Sequence, residues 1–145
     1  MFEVKVRNVA CEPAAIGNVG PYTLVIDRPS DAGGRGLGFN GGQLLYLAIA
    51  GCVSNDLFRE ARAAGIELHR VRVIVRGDFA GDPAVSTDVG YDIELEGDAS
   101  RDRLRALVNH VDEIAGIPNS LRRGTAVRLG RVRPREAGEA ARHRS

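Results

Sequence analysis

An unbroken run of ten apolar residues, 44–53, constrains the fold of this chain more than any other feature. A membrane span needs about 20 such residues, so the run predicts a segment buried in protein. Apolar positions continue at helical spacing to Ala64, and the following Gly65 is typical of a helix C-terminus. The sequence therefore predicts a long central helix over 43–64, buried at one end.

The segments before this helix have the pattern of strands and a loop. Residues 2–6 and 22–26 alternate apolar with charged or polar side chains, and a turn signal, 17–21, precedes the second run. Residues 28–40 are rich in glycine and contain a proline. The alternation predicts two strands. The glycine-rich composition predicts a long exposed loop after them, which we expect to be mobile.

The segments after the helix predict a hairpin, a second helix and a closing strand. Two alternating runs, 70–76 and 88–96, would place a row of arginines against a row of carboxylates on one wet face. Residues 104–115 have helical spacing, with Asp98 and Ser100 as candidate caps, and residues 125–129 alternate again.

The element order ββαββαβ lacks the regular alternation of a doubly wound sheet. We therefore predict an α+β fold, with antiparallel sheets packed around the long central helix. Residues 1–130 are expected to form a single domain, and the arginine-rich residues 131–145 a solvated tail.

The net charge and the N-terminal sequence limit the classes of partner and the location that we expect. The chain has 20 basic and 19 acidic side chains, a net charge of +1, so no overall field attracts nucleic acid or an anionic membrane. Its first residues have the pattern of a strand rather than of a secretory signal. We expect a cytoplasmic protein without nucleic-acid or membrane partners.

Motifs for cofactors and metals are weak. The glycines at 36, 38 and 41 have GxGxxG spacing, but they do not follow a strand directly, as dinucleotide-binding glycines do. His69, His110 and His143 are scattered without a second ligand at metal-binding spacing. The sequence predicts neither a bound cofactor nor a metal ion.

The two cysteines, Cys11 and Cys52, do not make a disulfide framework. Cys52 lies where the apolar run gives way to polar residues, and a buried cysteine of this kind is commonly inert packing. Gly51 beside it destabilises a helix but allows another backbone or a substrate to approach closely. Packing and chemistry both remain open for Cys52 at this point.

The loop GGRGLGFN, the helix QLLYLAIAGCVSNDLFREARAAGIEL, the strand VRVIVRGDF and the segment AGIPNSLRRGTAVRL together resemble the OsmC/Ohr family of thiol peroxidases. The resemblance covers about residues 22–129. It implies an intertwined homodimer with two active sites at the subunit interface. It also implies the reduction of organic hydroperoxides or hydrogen peroxide, and recycling by an external thiol reductant.

The resemblance places Cys52 at the position of the family's peroxidatic cysteine. Two family residues are missing: Ile117 stands in place of the resolving cysteine, and Gly42 in place of a glutamate that orients an arginine over the thiol. Asp31 or the second subunit could supply a replacement carboxylate.

The family's arginine belongs to the N-terminal strand region, where the ungapped counterpart is Cys11 and Arg7 lies slightly upstream. Arg7 is therefore a candidate thiolate stabiliser. Cys11 is a candidate resolving thiol, provided that its Cα lies within about 7 Å of that of Cys52. The alternative to a peroxidase is a non-catalytic dimer of the same fold that binds a small hydrophobic ligand or senses oxidants.

Overall fold

The predicted central helix is present as α1, Gly41–Ala63, in a computed structural model that describes residues 1–137. A capping box fixes its start: the Gln43 N–H donates to Asn40 Oδ1 (2.9 Å), and the Asn40 N–H donates to Gln43 Oε1 (3.0 Å). Among the described residues, no helix is both long and apolar enough to cross a bilayer.

One antiparallel sheet precedes this helix in the sequence, and a second antiparallel sheet follows it. The first has three strands in the order β1-β2-β3, and the second is the predicted hairpin of β4 and β5. The elements are β1 Lys5–Asn8, β2 Ala15–Val19, β3 Tyr22–Ile26, a 3₁₀ turn Ser30–Ala32, α1, β4 Leu68–Ala80, β5 Val85–Gly97, α2 Arg101–Ile114 and α3 Gly116–Arg122. The α+β class with antiparallel sheets is confirmed.

The hairpin has the predicted pairing of arginines with carboxylates. Guanidinium nitrogens of Arg70 and Arg72 lie 2.8 and 3.4 Å from carboxylate oxygens of the facing Glu96 and Glu94. These pairs are exposed, and such pairs contribute only about 0–1 kcal/mol each. Their main effect is on register, because a slip by one residue would put the arginines on the apolar face.

The hydrophobic core lies between α1, α2 and the inner face of the hairpin. Ile49, Val53 and Leu57 of α1 pack with Leu107 and Val111 of α2, and the valines of β4 close the cluster. In the part of the chain that the structure describes, no residue of β1, β2 or β3 belongs to this core cluster. The N-terminal sheet therefore lies outside this core, and Phe39, just before α1, bonds Val25 and Asp27 at its end.

Three details of the predicted element order are wrong. Residues 17–19, expected in a turn, lie in the additional strand β2, which pairs with both β1 and β3. Pairing on two sides compensates for the low strand propensity of Gly17 and Asn18. A third helix, α3, follows α2 directly.

The third error is the closing strand predicted over 125–129, where the structure has neither helix nor strand. Val127 and Leu129 are 93% and 89% exposed, so the apolar side chains of the alternating pattern bury no face against the described part of the chain. Residues 131–137 also have no helix or strand, and residues 138–145 of the predicted tail, including His143, lie outside the described residues. The domain boundary at 130 stays a prediction.

The core packing predicts the effect of shortening its central side chain. Leu57 is fully buried, so Leu57→Ala should lower the free energy of unfolding by about 2–5 kcal/mol. Val127→Ala, at an exposed position, should change it by less than about 0.5 kcal/mol. Urea unfolding at one fixed protein concentration measures both. Equal effects of the two substitutions would contradict the described core.

Candidate functional site

Cys52 lies in the middle of α1, half-buried at the margin of the hydrophobic core. Val53 beside it is fully buried, whereas Gly51 on the other side is exposed. A Cβ added at Gly51 would have no described residue within 4 Å beyond its two chain neighbours and the surrounding helix backbone. The sulfur is therefore next to an open surface, not sealed in the core.

The polar partner of the sulfur is a buried carboxylate one helical turn later. Cys52 Sγ lies 3.8 Å from Asp56 Oδ2. The other oxygen of Asp56, Oδ1, accepts from Arg59 Nη1 at 2.5 Å. Residues 52, 56 and 59 follow the i, i+4, i+7 spacing of one helix face, so α1 by itself aligns a thiol, a carboxylate and a guanidinium.

A second carboxylate holds Arg59 from its other side. Arg59 Nε donates to Glu60 Oε1 at 2.8 Å, and this bond is the main reason that the pKa of Arg59 is raised, with the charge of Asp56 adding to it. The same bond lowers the pKa of Glu60, which His110 Nε2 of α2 also contacts at 3.2 Å. Arg59 is thus held as a permanent cation beside Asp56.

A cavity of about 300 Å³ lies between α1, β5 and α3, and it is lined mostly by apolar side chains. Ile49, one turn before Cys52, forms part of its wall, together with Val89, Pro118 and Leu121. The helix α3, whose sequence resembles the surroundings of the family's second cysteine, therefore lies across this cavity from the central helix.

A triad of Tyr91, Asp112 and Arg122 fixes α3 in this place. The Tyr91 hydroxyl donates to Asp112 Oδ1, and Arg122 donates to the same oxygen (2.5 Å) and to the Asp112 carbonyl (2.9 Å). These bonds lower the pKa of Asp112, the one from Tyr91 most strongly, while burial is the main cause of the raised pKa of Tyr91.

The structure places the other predicted site residues as follows. Cys11 is exposed between β1 and β2, Arg7 is exposed in β1, and both cysteines are free. Neither residue is among the groups that bond the Cys52 sulfur. Asp31 is exposed in the 3₁₀ turn, and Ile117 is 38% exposed in α3.

The position of the missing glutamate is occupied by an aromatic ring. A Cβ at Gly42 would lie 2.9 Å from Phe79 Cε2, and this ring stacks on Tyr46 with centroids 6.0 Å apart. A carboxylate at position 42 would require Phe79 to move. Among the described residues, the carboxylate that bonds the thiol is that of Asp56, and the sequence analysis singled out neither Asp56 nor its partner Arg59.

The glycine-rich loop before α1 is held by a buried carboxylate that the sequence analysis also missed. Asp27, 3% exposed, accepts from the backbone N–H groups of Arg28 (2.8 Å), Arg35 (3.1 Å) and Leu37 (3.1 Å). Close approach explains two of the glycines, since a Cβ at Gly34 or Gly38 would lie about 2 Å from a carbonyl oxygen. The expected exposed loop is present and carries these bonds where it leads into α1.

No group of three histidine, cysteine, aspartate or glutamate side chains suited to a metal ion is found within residues 1–137.

Comparison with known proteins agrees with this architecture. Residues 33–130 match the family model described as "OsmC-like protein". This match covers more than half of the chain, which therefore belongs to the OsmC-like family. No curated protein matches the chain.

Several solved structures have the same fold. An OsmC-like protein from Mycoplasma pneumoniae superposes with a TM-score of 0.74 at 15% identity, covering 86% of this chain and 89% of that one. An organic hydroperoxide resistance protein OsmC from Legionella pneumophila gives 0.64 at 19% identity, covering 84% and 89%. The organic hydroperoxide resistance protein OhrB of Bacillus subtilis gives 0.59 at 21% identity, covering 86% and 92%. At these identities the likeness is one of fold.

The bonding of Asp27 predicts a pH-dependent loop. The N–H of Leu37 contributes most to lowering the pKa of Asp27, so the stabilisation is present above about pH 4 and is lost as the pH falls through the lowered pKa. Asp27→Asn should remove it at neutral pH as well. Hydrogen exchange of residues 28–38 should therefore be faster at pH 7 in Asp27→Asn than in the wild type.

The matched control is Asp31→Asn, which changes an exposed carboxylate of the same loop and should leave exchange unchanged. Equal protection in the Asp27→Asn variant and the wild type at pH 7 would contradict the role of Asp27.

Proposed function

We propose that this OsmC-like protein is a cysteine-dependent peroxidase that reduces organic hydroperoxides or hydrogen peroxide through Cys52. The observation that carries the proposal is the position of the sulfur, half-buried between the apolar core and an uncovered face of α1, with a charged pair beside it. A peroxide with an apolar group could approach along that face. The hydroperoxide resistance proteins of the same fold support this substrate class.

The oxidation step uses one protein thiol and one peroxide, and recycling uses two external thiols. The Cys52 sulfur attacks the terminal peroxide oxygen, an S–O bond forms and the O–O bond breaks. The sulfur becomes a sulfenic acid and the peroxide is reduced to an alcohol or to water. One external thiol then condenses with the sulfenic acid to a mixed disulfide and water, and a second thiol releases Cys52 as the reduced form.

Recycling by an external thiol reductant fits the residues around the site. Ile117 stands where the family's second cysteine is expected and cannot form a disulfide. Cys11 is the remaining thiol, exposed in the turn after β1, and stays a candidate for that role in an assembled dimer. Two free cysteines suit a reducing cytoplasm, which also supplies small thiols, and we propose that location.

A homodimer is proposed because the apolar face of α1 is left open in a single chain. Leu47 is 50% and Phe58 46% exposed, and Ala48 and Gly51 lie exposed between them on the same face. The N-terminal sheet, which has no part in the core cluster, adds exposed Val6 and Leu24. A second copy that covers these surfaces would enclose Cys52 in an apolar cleft at the interface.

Activity should depend on Cys52. Cys52→Ser is expected to abolish consumption of cumene hydroperoxide and hydrogen peroxide in the presence of dithiothreitol, because serine cannot form the sulfenic acid. Cys11→Ser is the matched control and should retain turnover, since dithiothreitol does the reduction. Peroxide loss is followed colorimetrically at equal protein concentrations.

Unchanged consumption in the Cys52→Ser variant would end the peroxidase proposal. A wild-type protein that consumes neither peroxide while Cys52 stays unmodified would do the same, and would favour the non-catalytic dimer.

The dimer has its own test. Leu47→Glu places a charge on the open face of α1 and should shift the mass measured by light scattering at micromolar concentration from twice 15.5 kDa towards 15.5 kDa. Arg105→Glu, at an exposed position of α2, should leave the dimer intact. A wild-type monomer under these conditions would contradict the proposed assembly.

A further inference from the structure

The Cys52 thiol faces a carboxylate whose two oxygens have different partners. Asp56 Oδ2 lies 3.8 Å from the sulfur, within reach of an S–H donor, and Oδ1 accepts from Arg59. Asp56 is only 8% exposed, whereas the side chain of Arg59 is 60% exposed. The carboxylate therefore stands between the sulfur and a cation at the surface.

This order of charges is not suited to storing a thiolate. The guanidinium bonds the other oxygen of the carboxylate, so the group bonded to the sulfur is an acid side chain rather than a cation. The arrangement is instead suited to proton transfer, because Asp56 Oδ2 is positioned to accept the S–H proton while Arg59 holds Oδ1. Such a group can also return the proton during the same reaction.

We propose that Asp56 is the general acid–base of Cys52 and that Arg59 positions its carboxylate. The inference rests on the proposed peroxidase function and specifies its proton path. As sulfur attacks the terminal oxygen, the thiol proton passes to Asp56 Oδ2. The S–O bond forms, the O–O bond breaks, and the leaving alkoxide takes the proton from Asp56. The products are a sulfenic acid and an alcohol, and the carboxylate is regenerated.

Charged groups on the neighbouring elements are engaged elsewhere in the described part of the chain. His110 of α2 contacts Glu60 on the far side of Arg59, and Arg122 of α3 is held by Asp112. The paired arginines of β4 lie on the face of the hairpin turned away from the core. Asp56 is therefore the group that bonds the sulfur, and Arg59 the cation that compensates its charge.

Asp56→Asn separates proton transfer from thiol reactivity. The amide keeps the size of the side chain but cannot take a proton, so kcat/KM for cumene hydroperoxide should fall about 10²-fold or more. Alkylation of Cys52 by iodoacetamide requires a thiolate but no returned proton, so its rate at neutral pH should be at least that of the wild type. Both are measured in a Cys11→Ser background, with Cys52 modification located by mass spectrometry.

The matched control is Asp92→Asn, which removes another aspartate bonded to an arginine at 2.5 Å, far from the sulfur on the wet face of the hairpin. It should leave both rates unchanged. A merely structural role of Asp56 would lower alkylation and peroxide reduction together, and that result would overturn the inference.

A second variant covers the case in which Asp56→Asn does not fold. Arg59→Gln changes an exposed side chain and leaves the carboxylate without its cation. Arg59→Gln should lower kcat/KM, because the carboxylate loses the group that holds it beside the sulfur, while alkylation of Cys52 stays unchanged. Arg59→Lys should restore part of kcat/KM. An unchanged kcat/KM in Arg59→Gln would overturn the positioning role.

The outcomes separate the two proposals. A wild-type protein that reduces no peroxide overturns the proposed function and this inference with it. An active wild type whose Asp56→Asn variant has the same kcat/KM at every pH overturns the inference alone.

Discussion

The packing of one face of α1 against α2 and the hairpin is the constraint on which the candidate site depends. Ile49, Val53 and Leu57 fill the core from that face, so the helix can turn only its opposite side outward. Cys52 lies at the boundary between the two sides. The same packing that stabilises the chain therefore sets the depth of the sulfur and leaves an apolar surface beside it.

Different faces of this one helix therefore have different roles. Its buried residues pack in the core, and its exposed apolar residues are available to a second copy. Between these faces, residues 52, 56 and 59 form the row of thiol, carboxylate and guanidinium. In the family pattern, the group that orients the thiol's arginine is a glutamate at the start of this helix. Here Phe79 fills the space around Gly42, and a carboxylate on the next turn after the cysteine is the one within reach.

Periodicity alone predicted the central helix, the hairpin with its facing charges and the second helix, because each buries one regular face within the chain. The strand β2 was not predicted, because Gly17 and Asn18 are typical of a turn and only the pairing with both neighbouring strands makes them part of a sheet. The prediction of a strand over 125–129 was wrong because alternation stabilises a strand only where one face is buried, and Val127 and Leu129 are exposed. Cys52 was identified through resemblance, whereas the contacts of Asp56 and Asp27 depend on side-chain geometry that spacing does not reveal.

The central claim is that Cys52 reacts with peroxide. Its most direct test is to treat the reduced protein with one equivalent of cumene hydroperoxide, trap sulfenic acid with dimedone and map the adduct by mass spectrometry. The account predicts rapid, nearly complete labelling of Cys52 with little at the exposed Cys11. Labelling of Cys11 alone, or no adduct at Cys52, would contradict it.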